Sequence, residues 1–462
     1  MEPAPEPPRS RDERIGELLR RAEDCKAFLR EQKEIRVFIE DAWNRGHQAS
    51  SLLLARHLAR MVPLSAGQTI TWVCRNESAR ALLAGFLARE GFEIPTRMKS
   101  LEEIRAEPWI ELGCTGASDA GHDLSRRARC RTFLWMQPFR WENPERILCR
   151  TGYRAAATRD FIEAHPWTRG LGLSRSGLSL GPPSEPDWAR LGDSRSVAVI
   201  RAALAAADRH PEVSLLPAYS VGANGMLGIS HLVLRNLLFG LREALDGGLE
   251  SAVLVLDLSP DTRQDAIDRL KPILDRCRPG WSRETCTDVG EDVLRIERRI
   301  GRLRKGKILL VHTPEVKPQP LFDYVLSRAK LPPVFEGLGT EARAVTLGKP
   351  FLQVCQRTFR AWQLGRRPRA AEMSYPLLPG FSSLPFRCQT AADTLIRLKP
   401  RPDLLGSFLL DCARGEERLH SYFEALAERC RDPRRDRLNL NLGLLELLRR
   451  FPSLRGRGLR PG

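Results

Sequence analysis

Residues 331–354, LPPVFEGLGTEARAVTLGKPFLQV, contain two short apolar runs on either side of an amphipathic segment of about two helical turns. The pattern predicts strand, turn, helix and strand, with Glu336-Gly337-Leu338-Gly339-Thr340 as the turn. Glycines at a helix start let an anion approach unpaired backbone N–H groups that carry partial positive charge. The alternative is a Thr340 N-cap with glycines that ease a tight turn. We favour an anion-binding site, because the turn follows the strand of a β-α-β unit.

The same alternation of strand and helix runs back through the second half of the chain. Five strands are predicted, near 213–218, 252–258, 307–312, 333–335 and 350–354, with four crossover helices between them. Such an order is typical of a parallel, doubly wound domain. A glycine-rich turn, SVGANGMLG, follows the first of these strands, and it is a second candidate anion site with tight-turn formation as the alternative.

The first half repeats this pattern. Strands are predicted at IRVFIE (35–40), TITWVC (69–74) and FEI (92–94), with helices between them, and WIELGCT and CRTFLWMQPF are further strand-like runs. The fold class is therefore α/β with two Rossmann-like domains and a C-terminal helical tail. We predict a disordered segment and helix at 1–33, an N-terminal domain at 34–200, a second domain at 205–365 and a helical tail at 366–462.

Composition and charge restrict the function classes. The formal net charge is +17 and the sequence pI is near 9.8, but the arginines are scattered, which disfavours nucleic acid as a partner. The dense basic run is Arg298 to Lys307, predicted to be a solvated helix face, with an acidic membrane surface as an alternative partner. No apolar run approaches the roughly 18 residues of a membrane span, and the charged, proline-rich start is unlike a secretory signal. A cytoplasmic protein, with membrane association as an option, is expected.

The cysteines and the short motifs argue against several kinds of metal and catalytic site. The chain has 11 cysteines and no CxxC pair, which argues against zinc ribbons and disulfide frameworks and favours small buried side chains. Neither HExxH nor GxxxxGK[ST] occurs. No metal site and no cofactor is predicted.

Two Rossmann-like halves followed by helices resemble the GT-B glycosyltransferases. Gly46-His47 after the first strand is similar to the start of the UDP-N-acetylglucosamine transferase group of peptidoglycan assembly. Gly222, Gly225 and Gly228 follow the first strand of the second half, as a glycine turn does in that architecture.

Residues 331–354 resemble the donor-site turn of the same group. Gly337, Thr340, Gly348 and Pro350 match that turn in order and spacing. Arg343 stands where the group has its ribose-binding glutamate. The resemblance implies a protein that transfers a sugar from a nucleotide diphosphate donor, which acts as a substrate, to an acceptor.

Two residues near the first strand are candidates for the catalytic base. His47 has a side chain suited to proton abstraction near neutral pH, and an acceptor hydroxyl must lose its proton as it attacks. Asp41 is its candidate partner or the alternative base. Their structural alternatives are a surface or capping histidine and a turn-forming aspartate.

The candidate donor residues follow strands of the second half. They are Gly222, Asn224, Gly225, His312, Glu336, Gly337, Gly339, Thr340, Glu341 and Arg343. The predicted function is a nucleotide-sugar-dependent glycosyltransferase. The alternatives are a catalytically inactive GT-B-like module that binds partners, or an arginine-rich RNA-binding protein.

Overall fold

The computed structural model describes a large part of the chain. The described residues are 27–40, 48, 51–52, 54–55, 58–59, 67–89, 96–116, 124–136, 160–164, 185–189, 191, 195–219, 230–256, 286–288, 298–303, 305–313, 319–336, 338–354 and 375–431. The chain divides into two compact units. The first unit comprises Met1–Leu178 with Cys430–Gly462, and the second unit comprises Ser179–Arg429.

The first unit is built on a parallel sheet of six strands. Its elements are β1 (Glu34–Phe38), β2 (Thr69–Cys74), α1 (Glu77–Arg89), β3 (Thr96–Ser100), α2 (Leu101–Ile104), β4 (Ile110–Thr115), α3 (Leu124–Arg127), β5 (Cys130–Met136) and β6 (Asp160–Ala164). The strand order is β3-β2-β1-β4-β5-β6. Phe38 pairs with Val73 on one side and with Thr115 on the other, so β1 is central and the chain reverses its direction of winding beside it.

Arg36 is a buried arginine that links the central strand β1 to segments at the amino ends of its neighbours. Arg36 on β1 is 1% exposed, and its guanidinium contacts the carboxylates of Glu34 at 3.1 Å and Glu107 at 2.8 Å. It also donates to the carbonyl of Ala128 at 2.9 Å. A buried charge is tolerated where it is paired and hydrogen-bonded in this way.

The second unit contains a second parallel sheet of six strands. Its elements are α4 (Arg195–Arg209), β7 (Val213–Tyr219), α5 (Ser230–Asp246), β8 (Ser251–Leu256), β9 (Cys286–Asp288), β10 (Lys307–His312), α6 (Gln319–Arg328), β11 (Val334–Phe335), α7 (Leu338–Thr346), β12 (Leu352–Gln353), α8 (Leu384–Thr394), α9 (Pro402–Arg414) and α10 (Glu417–Arg431). The strand order is β12-β11-β7-β8-β10-β9. Strands β7, β8 and β10 are largely buried, as expected of a parallel sheet covered by helices.

The last three helices pack within the second unit. Asn236 on α5 is fully buried and donates to the carbonyls of Thr394 at 3.0 Å, Leu395 at 3.0 Å and Arg397 at 2.9 Å. Carbonyls at a helix end need such partners, so this side chain fastens the end of α8 to α5. The remainder of the predicted tail, 366–374 and 432–462, lies outside the described residues.

The predicted strands largely correspond to observed ones. The strands predicted near 35–40 and 69–74 share the first sheet, and the five predicted in the second half share the other, so both groupings are confirmed. The predicted strand at 92–94 lies outside the described residues, whereas the third strand of the first sheet is β3. The prediction of five strands in the second domain was wrong by one, because β9 adds three residues at the edge beside β10.

Candidate anion site of the second unit

The turn at residues 336–340 lies where the second sheet reverses its winding. Strand β11 pairs with β7, with Phe335 opposite Tyr219, so the two strands end at the same level of the carboxyl edge. From β7 the chain continues to β8 on one side, and from β11 it continues to β12 on the other. Ligands of open parallel sheets bind outside the carboxyl ends of strands at such a switch point.

Helix α7 begins at Leu338, earlier than a Thr340 cap would require. Leu338 and Gly339 therefore occupy the first two helical positions, and Thr340 occupies the third, where it is 6% exposed. The interpretation of Thr340 as the N-cap is wrong, since the N-cap precedes the first helical residue. Gly337, which precedes the helix, lies outside the described residues.

Aromatic rings hold β11 and β12 under the turn. Phe335 stacks on Phe351 with ring centroids 5.5 Å apart, and Phe351 stacks on Tyr375 at 5.0 Å. The Tyr375 hydroxyl donates to the carbonyl of Phe351 at 2.9 Å. All three side chains are buried, so the strand that carries the turn rests on a packed support.

Glu336 is the residue between β11 and the helix, and its carboxyl group is partly withdrawn from water. Burial raises the pKa of Glu336 from its ordinary value of 4.5 to about 7. Near neutral pH the carboxyl is therefore divided between its charged and neutral forms, and the neutral form is able to donate a hydrogen bond.

The two charged candidates within α7 differ in their surroundings. Glu341 is 3% exposed. The Arg343 guanidinium lies 3.4 Å from the carboxylate of Asp323 on α6, in an ion pair whose side chains are 11% and 12% exposed. Arg343 therefore has a carboxylate partner from a neighbouring helix, which sequence analysis did not anticipate.

His312 lies at the same edge of the sheet but not beside the turn. It ends β10, opposite Leu256, and it is fully buried. Strands β8 and β7 lie between β10 and β11, so β10 and β11 are three strand spacings, or about 14 Å, apart. The structure does not bring His312 together with Glu336 and Thr340.

Gly222, Asn224 and Gly225 fall in the connection from β7 to α5 and lie outside the described residues. Strand β7, which precedes them in the chain, ends next to β11 at the switch point. Sequence analysis treated this glycine turn and the residue 336–340 turn as separate candidates. The strand order makes their parent strands neighbours.

The first sheet has its own switch point, between β1 and β4. The Thr115 hydroxyl donates to the carbonyl of Phe38 at 3.0 Å, and the backbone N–H of Gly116 donates to the Ser51 hydroxyl at 3.1 Å. These contacts fix the ends of β1 and β4. Asp41 and His47, which follow β1, lie outside the described residues.

Sequence analysis missed Asp323, Ser51 and Gly116. Asp323 and Gly116 belong to no recognised motif. Ser51 follows the Gly46-His47 motif but was not itself singled out, and it is far from Gly116 in the chain. The signal that would have found them is strand order, because it decides which strand ends lie side by side.

The described part of the chain contains no cluster of three histidine, cysteine, aspartate or glutamate side chains able to hold a metal ion. Among its cysteines, Cys74, Cys114, Cys130, Cys388 and Cys412 are buried thiols, as predicted. None of its helices is long and apolar enough to cross a membrane.

Comparison with known proteins identifies no family for the chain. The chain matches no protein-family model, and no curated protein matches it. Among solved structures, the N-terminal domain of a trehalose-6-phosphate phosphatase from Candida albicans aligns with a TM-score of 0.36 at 10% identity. That alignment covers 87% of this chain and 97% of that one. A similarity of this degree supports no conclusion about activity.

Proposed function

We propose that the chain is a glycosyltransferase of GT-B type that moves a sugar from a nucleotide diphosphate donor to an acceptor. The observation that carries the proposal is the position of the residue 336–340 turn, at the carboxyl end of β11 beside β7 and at the reversal of strand order. Nucleotide ligands of doubly wound sheets occupy this position.

The donor diphosphate would lie on the start of α7. The backbone N–H groups of Leu338 and Gly339 are at helical positions that leave donors unpaired within the helix, and the helix dipole adds partial positive charge. The Thr340 hydroxyl is a further donor one residue on. Gly222, Asn224 and Gly225 would contribute backbone N–H groups from the neighbouring connection.

In the proposed reaction an acceptor oxygen forms a bond to the anomeric carbon as the bond to the nucleotide diphosphate breaks. His47, or Asp41 in its place, would remove the acceptor proton. Negative charge grows on the departing diphosphate, and donors fixed at a helix start stabilise such charge without having to reorganise. The site would use the nucleotide-sugar as substrate and no further cofactor.

The test is nucleotide affinity measured by calorimetry for the full chain and for variants of the turn. We expect UDP, GDP or dTDP to bind the parent. Gly339→Val should weaken binding strongly, because its side chain would fill the space above the N–H groups, whereas Gly339→Ala should have a smaller effect. Thr340→Ala should weaken binding by roughly 1.5–3 kcal/mol, the usual value of a hydrogen bond to a charged group.

Thr390→Ala is the matched control for Thr340→Ala. The Thr390 hydroxyl donates within α8 to the carbonyl of Phe386 at 2.8 Å, so its hydrogen bond is internal to that helix. Thr390→Ala should leave nucleotide affinity unchanged.

If the Gly339 and Thr340 variants bind nucleotide as the parent does, the turn has only a structural role. A parent that binds none of the three nucleotides would favour the partner-binding module, and stabilisation by RNA alone would favour an RNA-binding protein.

A further inference from the structure

A cavity of about 290 Å³ opens at the amino ends of β11 and β12 in the second unit. Its wall comes from the segment before β11, the segment before β12 and the junction of α9 with α10. Four cationic side chains and one histidine line it, namely Arg328, Lys330, Lys349, Arg414 and His420. No aspartate or glutamate is among its described lining residues.

Few of these cations form an ion pair with a carboxylate among the described residues. Arg328 forms an ion pair with Asp208, whereas Lys330 donates to the carbonyl of Pro211. Arg414 donates to the carbonyl of Gly247 at 3.0 Å. Carbonyl partners satisfy hydrogen bonds without cancelling charge, so only one of the four cations in this part of the structure has a carboxylate partner.

Lys349 is the most enclosed of these cations. It is half-buried, and within the described chain its ammonium group has neither an ion pair nor a hydrogen bond. Burial, and then the nearby charge of Arg328, lower the pKa of Lys349. A group withdrawn from water beside a like charge would gain from an anion in the cavity.

We propose that this cavity binds a small ligand through a phosphate group, which the half-buried Lys349 would hold together with Lys330, Arg328 and Arg414. The volume is close to the lower end of the range for small-molecule sites, which suits a compact ligand. The cavity lies before β11, whereas the residue 336–340 turn follows that strand. It is therefore a second anion site, separate from the proposed donor site.

Inorganic pyrophosphate is the probe, titrated by calorimetry into the full chain at constant ionic strength set with sodium chloride. Lys349→Met keeps the length of the side chain and removes its charge, and Lys330→Met does the same at the exposed rim. Each should raise the dissociation constant at least about tenfold, as expected for a lost charge-assisted hydrogen bond. Arg302→Met, at an exposed arginine outside the cavity, should leave it unchanged.

Gly339→Val distinguishes this site from the donor turn, which could also accept pyrophosphate. We expect that variant to keep the binding in the cavity that Lys349→Met and Lys330→Met weaken, even if a separate binding event at the donor turn is lost. The proposal is overturned if the parent does not bind pyrophosphate, or if both lysine variants bind it as the parent does. Should Lys349→Met fail to fold, Lys330→Met alone decides. Failure here would leave nucleotide binding at the donor turn untouched.

Discussion

Glu336 is the carboxyl residue at the start of the candidate anion site, and we expect its protonation state to affect both stability and nucleotide binding. Its pKa in the folded chain is about 7, against an ordinary value of 4.5, because burial disfavours the charged form. The folded chain therefore keeps this carboxyl mostly neutral below about pH 7. Above that pH the folded chain must hold a partly buried carboxylate next to a proposed phosphate.

We predict that Glu336→Gln becomes more stable than the parent as the pH rises. Below about pH 4.5 the parent carboxyl is neutral in both the folded and unfolded chains, so the difference in unfolding free energy should be constant. Between about pH 4.5 and 7 the carboxyl ionises in the unfolded parent but stays neutral in the folded parent. Ionisation then stabilises only the unfolded state, so the free energy of unfolding of the parent falls. The variant should gain about 2 kcal/mol by pH 8, a value already reduced for partial exposure.

Denaturant unfolding from pH 4 to 8 measures this effect. The control is Glu428→Gln, at an exposed glutamate on α10, whose stability difference from the parent should not vary in this way. Nucleotide affinity of the parent should also fall as the pH passes 7, and Glu336→Gln should remove most of that dependence. A pH-independent stability difference for Glu336→Gln would show that its carboxyl is not withdrawn from water.

At the scale of elements, α5 and α9 approach each other closely through two glycines. A Cβ on Gly406 would lie 2.5 Å from the Cβ of Glu243 and 3.0 Å from the carbonyl oxygen of Gly240. A Cβ on Gly240 would lie 2.4 Å from the Cγ of Leu405. Backbone atoms on the facing helix cannot move aside as a flexible side chain can, so the contact depends on the absence of side chains.

We predict that Gly406→Ala destabilises the protein, although alanine favours a helix over glycine by about 1 kcal/mol. The added methyl group must push α9 away from α5, which typically costs about 1–3 kcal/mol. Ser407→Ala is the matched control, because Ser407 is the next residue of α9 and is exposed. Thermal unfolding should show a lower melting temperature for Gly406→Ala and little change for Ser407→Ala. An equal effect of both variants would contradict the close approach.

Element prediction from sequence succeeded where apolar runs were long. KILLVH and AVLVLDL are continuous hydrophobic runs, which a strand buried on both faces requires, and they correspond to β10 and β8. Strand β9 was missed because CTD has no apolar run, and its extended form is tied to pairing with β10. The start of α7 was mistaken because Thr340 is a strong capping type, yet the helix already begins at Leu338.

The candidate site was less predictable than the strands. The glycine turn could be recognised because glycine at a helix start has a local physical reason. The pairing of Arg343 with Asp323 and the separation of His312 from the turn depend on strand order and helix packing. Those are long-range properties that residue spacing does not encode.

At the scale of the whole molecule, the second unit has its own core. One of its hydrophobic clusters joins α4 with β7, β8, β10 and α6, and all members lie between Leu191 and Ala329. A group of aromatic rings supports β11 and β12 from the same unit, in which Tyr375 stacks on Phe351 and Phe423 contacts Phe351 edge-on. Every described residue of the candidate anion site belongs to this unit as well. A domain with its own core is expected to fold alone.

We therefore predict that a fragment of residues 179–431 folds and binds UDP, GDP or dTDP with the affinity of the full chain, but transfers no sugar. The binding groups that we propose for the diphosphate are all within it, whereas His47 and Asp41 are not. Circular dichroism and thermal unfolding should show a cooperative α/β domain, and calorimetry should give the affinity. A fragment that unfolds cooperatively yet fails to bind a nucleotide that the full chain binds would mean that the donor site needs residues of the first unit. A fragment without a cooperative transition would contradict the independence of the second core.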